Sequence, residues 1–345
     1  MEVDFRKTEV LNCTFVKTTL MLIIVLYHSI LFWTGTWFSS TPIYEAKIFA
    51  ALAIWMNSFH IYSFTLVSGY LFYYLKYENG KYAQYIPFLK RKAKRLLVPY
   101  AFIAIVWVIP ISYAFFKYDF TEIFHKYILG TAPSQLWFLL MLFGVFAIFY
   151  PISNYIRNHH LLGAVVIIGF YGIGLVGQLV LPNLFQIFRA CMYMPVFWVG
   201  FKLCQYGTAW ARRIPAWLWV LVQILVFVSA QYFAGFEGII FTLVRMGINF
   251  VANIVGALMA FVVLQKLADK VNWKENKLFG FMSRMSMPVY LLHQQIIYVC
   301  IYFLNGLLNP YIHAGVNFLV AIVLSLGCAA VLMKYPITRF LIGEK

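Results

Sequence analysis

The chain is short of carboxylates and of charge altogether. Eleven Asp and Glu stand against 27 Lys and Arg in 345 residues, and charged residues make up only 11% of positions. A soluble domain of this size carries about twice that share of charge, so a water-facing globule is excluded. There are five cysteines (Cys13, Cys191, Cys204, Cys300 and Cys328), none in a short paired spacing. That pattern argues for reduced structural thiols rather than a disulfide framework or a zinc site. No low-complexity tract or repeat interrupts the chain, and its longest polar connection runs only from about 76 to 95. What fills the space is apolar: 63% of residues are hydrophobic and 20% aromatic. The composition defines an all-α polytopic membrane protein forming one domain over residues 1–345.

Ten spans can be drawn, at about 15–38, 46–75, 96–116, 135–152, 161–181, 186–205, 214–234, 239–266, 279–305 and 313–335. The first is too long for a signal-peptide core and is read as a span. An even number puts both termini on one side. All but five of the 27 basic residues fall on that side, the exceptions being Lys47, Lys117, Lys126, Arg189 and Arg245. By the positive-inside rule both termini are expected in the cytoplasm. The net charge of +16 is then a topological signal, and nucleic acid is not an expected partner.

The scarcity of acid bears on function. No Asp or Glu falls clearly inside these spans, and Glu45 and Glu237 sit at ends or loops. Cation-coupled transport and proton relays usually rest on buried carboxylates, so that class is disfavoured. The intramembrane ionisable groups are instead His28, His60 and His293, with Arg189 and Arg245 near the outer ends of spans six and eight. Lys17 and His28 stand eleven positions apart, with the ten residues TTLMLIIVLY between them. On a helix that is three turns plus about 20°, so both leave one stripe, about 16 Å apart along the axis. With Lys17 at the surface, His28 lies near the midplane and requires a partner or a wet cavity. A neutral imidazole there is suited to taking a hydroxyl proton; the plain alternative is an interhelical hydrogen bond with no chemistry.

Two further stretches are informative. Lys90-Arg91-Lys92-Ala93-Lys94-Arg95 leads into Leu-Leu-Val-Pro, with Lys92 and Arg95 on one helix face. It reads either as an anchor on anionic lipid or as a clamp for the phosphates of a nucleotide-like cofactor. Span two carries Asn57, Ser58, His60, Tyr62, Ser63 and the run Ser68-Gly69-Tyr70, a polar face that lines a cavity or packs closely through Gly69. Trp137, taken singly, is an interfacial anchor. His159 and His160 read as loop residues.

Together these residues resemble the acyltransferase-3 family of integral membrane acyltransferases. The resemblance rests on Lys17…His28, on Lys92, Arg95, Leu96 and Pro99, on Ser68-Gly69-Tyr70, on Leu136-Trp137-Phe138-Leu139, and on Ser286 to His293. It runs in order along essentially the whole chain. It implies an O-acyltransferase of a bacterial cytoplasmic membrane, with no metal and no appended soluble domain. The expected donor is acyl-CoA, acetyl-CoA first. The expected acceptor is a capsular or exopolysaccharide unit or its lipid-linked precursor. Carried over, His28 is the catalytic residue with Lys17 its companion, and Lys92 and Arg95, flanked by Arg91 and Lys94, hold the CoA phosphates. His60, Ser68, Tyr70, Trp137, Arg189 and His293 line the substrate cavity. The family usually has Arg where Lys17 and Lys92 stand; Lys keeps the charge but loses the two-pronged fork. Succinyl-CoA is an alternative donor, its free carboxylate pairing with Arg189 or Arg245. The rival outside enzymology is a flippase for lipid-linked sugars.

Overall fold

The computed structural model describes residues 2–344 except Thr36, with side chains from residue 6 onward. Among the described residues ten helices are long and apolar enough to cross a membrane, at Arg6–Thr34, Lys47–Glu78, Tyr85–Phe116, Ser134–Asn158, His160–Val180, Leu184–Tyr206, Ala216–Gly235, Ile239–Lys270, Ser286–Leu304 and Pro310–Leu332. They are called spans one to ten below. Burial sorts them: spans one, four and nine form the centre, with 61%, 61% and 67% of their apolar windows buried, whereas span seven has 11%. Spans five, seven and ten turn Leu161, Leu179, Leu225 and Leu319 outward, as a lipid-facing periphery requires.

Span one begins much earlier than hydropathy marks it. Its helix starts at Glu2 rather than near 15, and it buries Glu9 to 1% exposure. This corrects the expectation that no carboxylate lies inside a span. Glu9 accepts from the Tyr70 hydroxyl at 2.7 Å and from the Thr208 hydroxyl, and lies 3.4 Å from Arg212. Arg212 also pairs with Asp269, which accepts from Asn12 at 2.7 Å. A buried carboxylate persists only when its lone pairs are occupied in this way. Hydropathy counts Glu9 and Asn12 against a span because it cannot see such partners.

Span three likewise starts at Tyr85, so the basic cluster is helical rather than part of a connection. Span two breaks after Asn57 and restarts at His60, with Phe59 off helical geometry at φ −136°. Ser58 Oγ, at 2.7 Å, and the backbone N–H, at 3.0 Å, both donate to the Trp55 carbonyl, tying off the first half. The break turns Asn57, His60 and Tyr62 toward one internal space.

Spans two and six hold the centre together. A Cβ on Gly69 would lie 2.0 Å from the Phe197 carbonyl oxygen, and one on Gly200 2.0 Å from that of Leu66. Two glycines thus let the backbones touch, the close approach that drives helix association where lipid offers no hydrophobic contrast. Below the contact, Phe72 meets the rings of Phe88, Phe149 and Phe197 at 5.6 to 5.8 Å.

Candidate active site

Two internal chambers lie along span one, one toward the terminal side of the bundle and one toward the far side. The terminal-side chamber has a volume near 320 Å³ and is lined by Lys17, Ser68, Tyr82, Lys92, Arg95 and Phe146 among others. Among the described residues three cations and no Asp or Glu line this space. Lys92 Nζ stands 3.7 Å from the Phe146 ring centre and 5.2 Å from that of Tyr82, a cation held on aromatic faces rather than by an acid. Glu344 follows a buried Ile342 and a Gly343 packed on Arg95 and Pro99, close enough for Arg95 and Lys17 to act on its carboxyl. Burial raises its carboxyl above the ordinary range, with Arg95 and Lys17 opposing. Arg91 and Lys94 line neither chamber, although they are exposed as Arg95 is, and Arg91 donates to the Lys81 carbonyl at 2.9 Å.

The far-side chamber, near 580 Å³, is lined by His28, His60, Trp137, Arg189, Tyr193 and Gln294 among others. Ile24 and Tyr290 line both chambers. Lys17, Ile24 and His28 therefore run up one stripe of span one, from the basic chamber through the partition to the imidazole. The spacing of Lys17 and His28 is realised as the sequence implied, with one residue facing each space.

Hydrogen bonds fix which nitrogen of His28 is basic. His28 Nδ1 lies 3.0 Å from the Ile24 carbonyl and 3.1 Å from His293 Nε2. His293 Nδ1 lies 2.8 Å from the Tyr290 carbonyl and 3.1 Å from that of Val289. Carbonyls only accept, so in both neutral rings Nδ1 carries the hydrogen. His293 Nε2 is then the acceptor for His28 Nδ1–H, and His28 Nε2 keeps its lone pair. His60 is held likewise, Nδ1 at 2.7 Å from the Met56 carbonyl. The Tyr27 ring sits between His28 and His60, 4.9 and 4.3 Å from them.

The loop carrying Thr131, Ala132 and Ser134 lines this chamber and is braced by Gln186. Ser134 has φ +52°, and Phe185 and Gln186 have φ +49° and +59°, left-handed conformations that non-glycine residues hold only under constraint. Gln186 Nε2 donates to the carbonyls of Gly130 and Thr131 at 2.6 and 2.8 Å. Gln294 donates to Ser134 Oγ at 2.9 Å, and Gln135 and Gln295 are bonded to each other.

Several cavity assignments change. Tyr70 lines neither chamber; it is fully buried, with its hydroxyl on Glu9 and its ring 5.2 Å from Phe261. His293 is fully buried behind His28 and does not face the chamber. Ser68 faces the basic chamber, not that of His28, while Trp137, Arg189 and His60 do line the latter. Arg245 lines neither. Ser134, Gln135 and Gln294 also line the chamber of His28, and the adjacent Gln294 and Gln295 inside an apolar span are the sequence signal for them.

A ten-span helical bundle whose interior sets a cationic chamber beside one holding an oriented imidazole, with Ile24 and Tyr290 common to both walls, defines a polytopic membrane protein with ionisable groups inside the bundle. The chain belongs to the acyltransferase-3 family, described as an acyltransferase domain, which it matches over residues 12–334. It is a membrane acyltransferase. No curated protein and no solved structure matches it.

Proposed function

We propose that the protein moves an acetyl group from acetyl-CoA to a hydroxyl of a cell-surface polysaccharide or its lipid-linked precursor. The donor enters from the terminal side and the acceptor from the far side. The observation that carries this reading is the partition at Ile24 and Tyr290, shared by both chambers, with His28 on its far face. Lys17, Lys92 and Arg95 form a cationic mouth suited to the phosphates of the donor. Because all but five basic residues fall on the terminal side, that side is taken as cytoplasmic, where acyl-CoA is available.

In the proposed step His28 Nε2 takes the proton of the acceptor hydroxyl as its oxygen attacks the thioester carbonyl. The C–O bond forms, the C–S bond breaks, and the proton passes from the imidazolium to the departing thiolate. His293 stabilises the transient imidazolium by accepting from Nδ1–H. The products are the acetylated saccharide and the free thiol of CoA.

Changing Lys92 and Arg95 together to Gln raises the apparent KM for acetyl-CoA at least tenfold, with a smaller change in the KM of the acceptor. Steady-state kinetics with purified protein measures both. An unchanged donor KM removes the cationic mouth from donor binding.

A further inference from the structure

The far-side chamber contains a cation that the proposed step does not use. Arg189 lines it, three residues into the helix Ile187–Tyr206, at the positive end of that helix. Its guanidinium carbon lies 4.5 Å from the ring centre of Trp137. A guanidinium held over an aromatic ring still has N–H donors to offer a two-pronged oxyanion. No Asp or Glu lines the chamber, and none of the ion pairs formed among the described residues involves Arg189. A permanent charge in an internal wall of a membrane bundle is costly to keep without an anion.

The surroundings suit a sugar ring. Tyr193, one turn on from Arg189, stacks on Tyr62 at 4.7 Å and 6°, and its ring is 5.8 Å from Trp137. Aromatic faces beside a fork of N–H donors form a surface that takes apolar C–H faces and an oxyanion together. His28 opens into the same chamber, so a group seated on Arg189 shares that space with the base.

We infer that Arg189 seats an oxyanion carried by one of the two reactants, and that this charge selects them. This rests on the reading of the far chamber as the place where acceptor and acyl group meet. The oxyanion comes from an acidic saccharide (a uronate carboxylate or a sugar-linked phosphate) or from the free carboxylate of a dicarboxylic acyl donor. In either case a neutral saccharide paired with an acetyl donor leaves Arg189 without a partner and binds less well than its charged counterpart.

The test compares matched probes on the full-length protein in detergent by calorimetry, without turnover. One arm sets the neutral disaccharide cellobiose against cellobiouronic acid; the other sets acetyl-CoA against succinyl-CoA. The wild type prefers the acidic member of one pair. In R189Q that preference falls about tenfold to a hundredfold, while binding of the neutral member holds. R189K keeps an intermediate preference, as a point charge without a fork does. Loss in the saccharide arm assigns the anion to the acceptor, and loss in the CoA arm assigns it to the donor. Equal binding of acidic and neutral members by the wild type overturns the inference, as does a preference unchanged in R189Q or an equal loss for both members. Because no acyl transfer is measured, its presence or absence leaves this result intact.

Discussion

His28→Ala abolishes acyl transfer, lowering the rate by on the order of a hundredfold to ten-thousandfold, while the protein still inserts and purifies as a single species. His28 is the one imidazole that both faces the far chamber and stands next to the partition. His293 is walled in behind it with both nitrogens engaged, so it has no free lone pair for an incoming hydroxyl. His60 is held on span two, across the Tyr27 ring. The substitution enlarges an existing chamber rather than opening a void in a packed core, so folding survives. Labelled acetyl transfer by purified variant and wild type, beside their size-exclusion profiles, reads both halves of the expectation. Wild-type rates in the variant rule out the proposed base.

Gly69→Ala has the largest structural effect. Its new methyl would stand 2.0 Å from the Phe197 carbonyl oxygen, against backbone that has no rotamer to yield. The spans must separate, which costs about 1–3 kcal/mol or more. The reciprocal Gly200 contact against the Leu66 carbonyl opens with it. Because Ser68 and Phe72 line the basic chamber from this same stretch, separation also shifts donor binding. A fall of several degrees in thermal midpoint, with weaker acetyl-CoA binding, is the expected outcome. A midpoint equal to wild type contradicts the close contact.

The ten spans were legible because about twenty consecutive apolar residues leave little choice. Their ends were not, wherever a polar residue finds its partner far away in sequence. Glu9 is the clearest case: its ligands come from Tyr70, Thr208 and Arg212, which no local window connects. Its discovery inside span one does not revive the transport reading, since it is tied into a static network rather than lining either chamber. The stripe of Lys17 and His28 was readable from helix geometry alone. The same geometry, applied more strictly, separates Ser68 from Tyr70: two residues apart is about 200°, so they cannot share a face. It does not separate Arg91 from Arg95, which lie only about 40° apart; the bond from Arg91 to the Lys81 carbonyl does that. The partition at Ile24 and Tyr290 and the break at Ser58 left no mark in the sequence, because both arise from how distant spans pack.

The account stands on donor and acceptor approaching His28 from opposite sides of the wall that Ile24 and Tyr290 share. Sealed vesicles carrying oriented protein test this directly, with labelled acetyl-CoA on the terminal side and an impermeant saccharide on the other. The predicted result is labelled saccharide on the side opposite the donor, absent with H28A. Labelling only when both reactants share one side would contradict it.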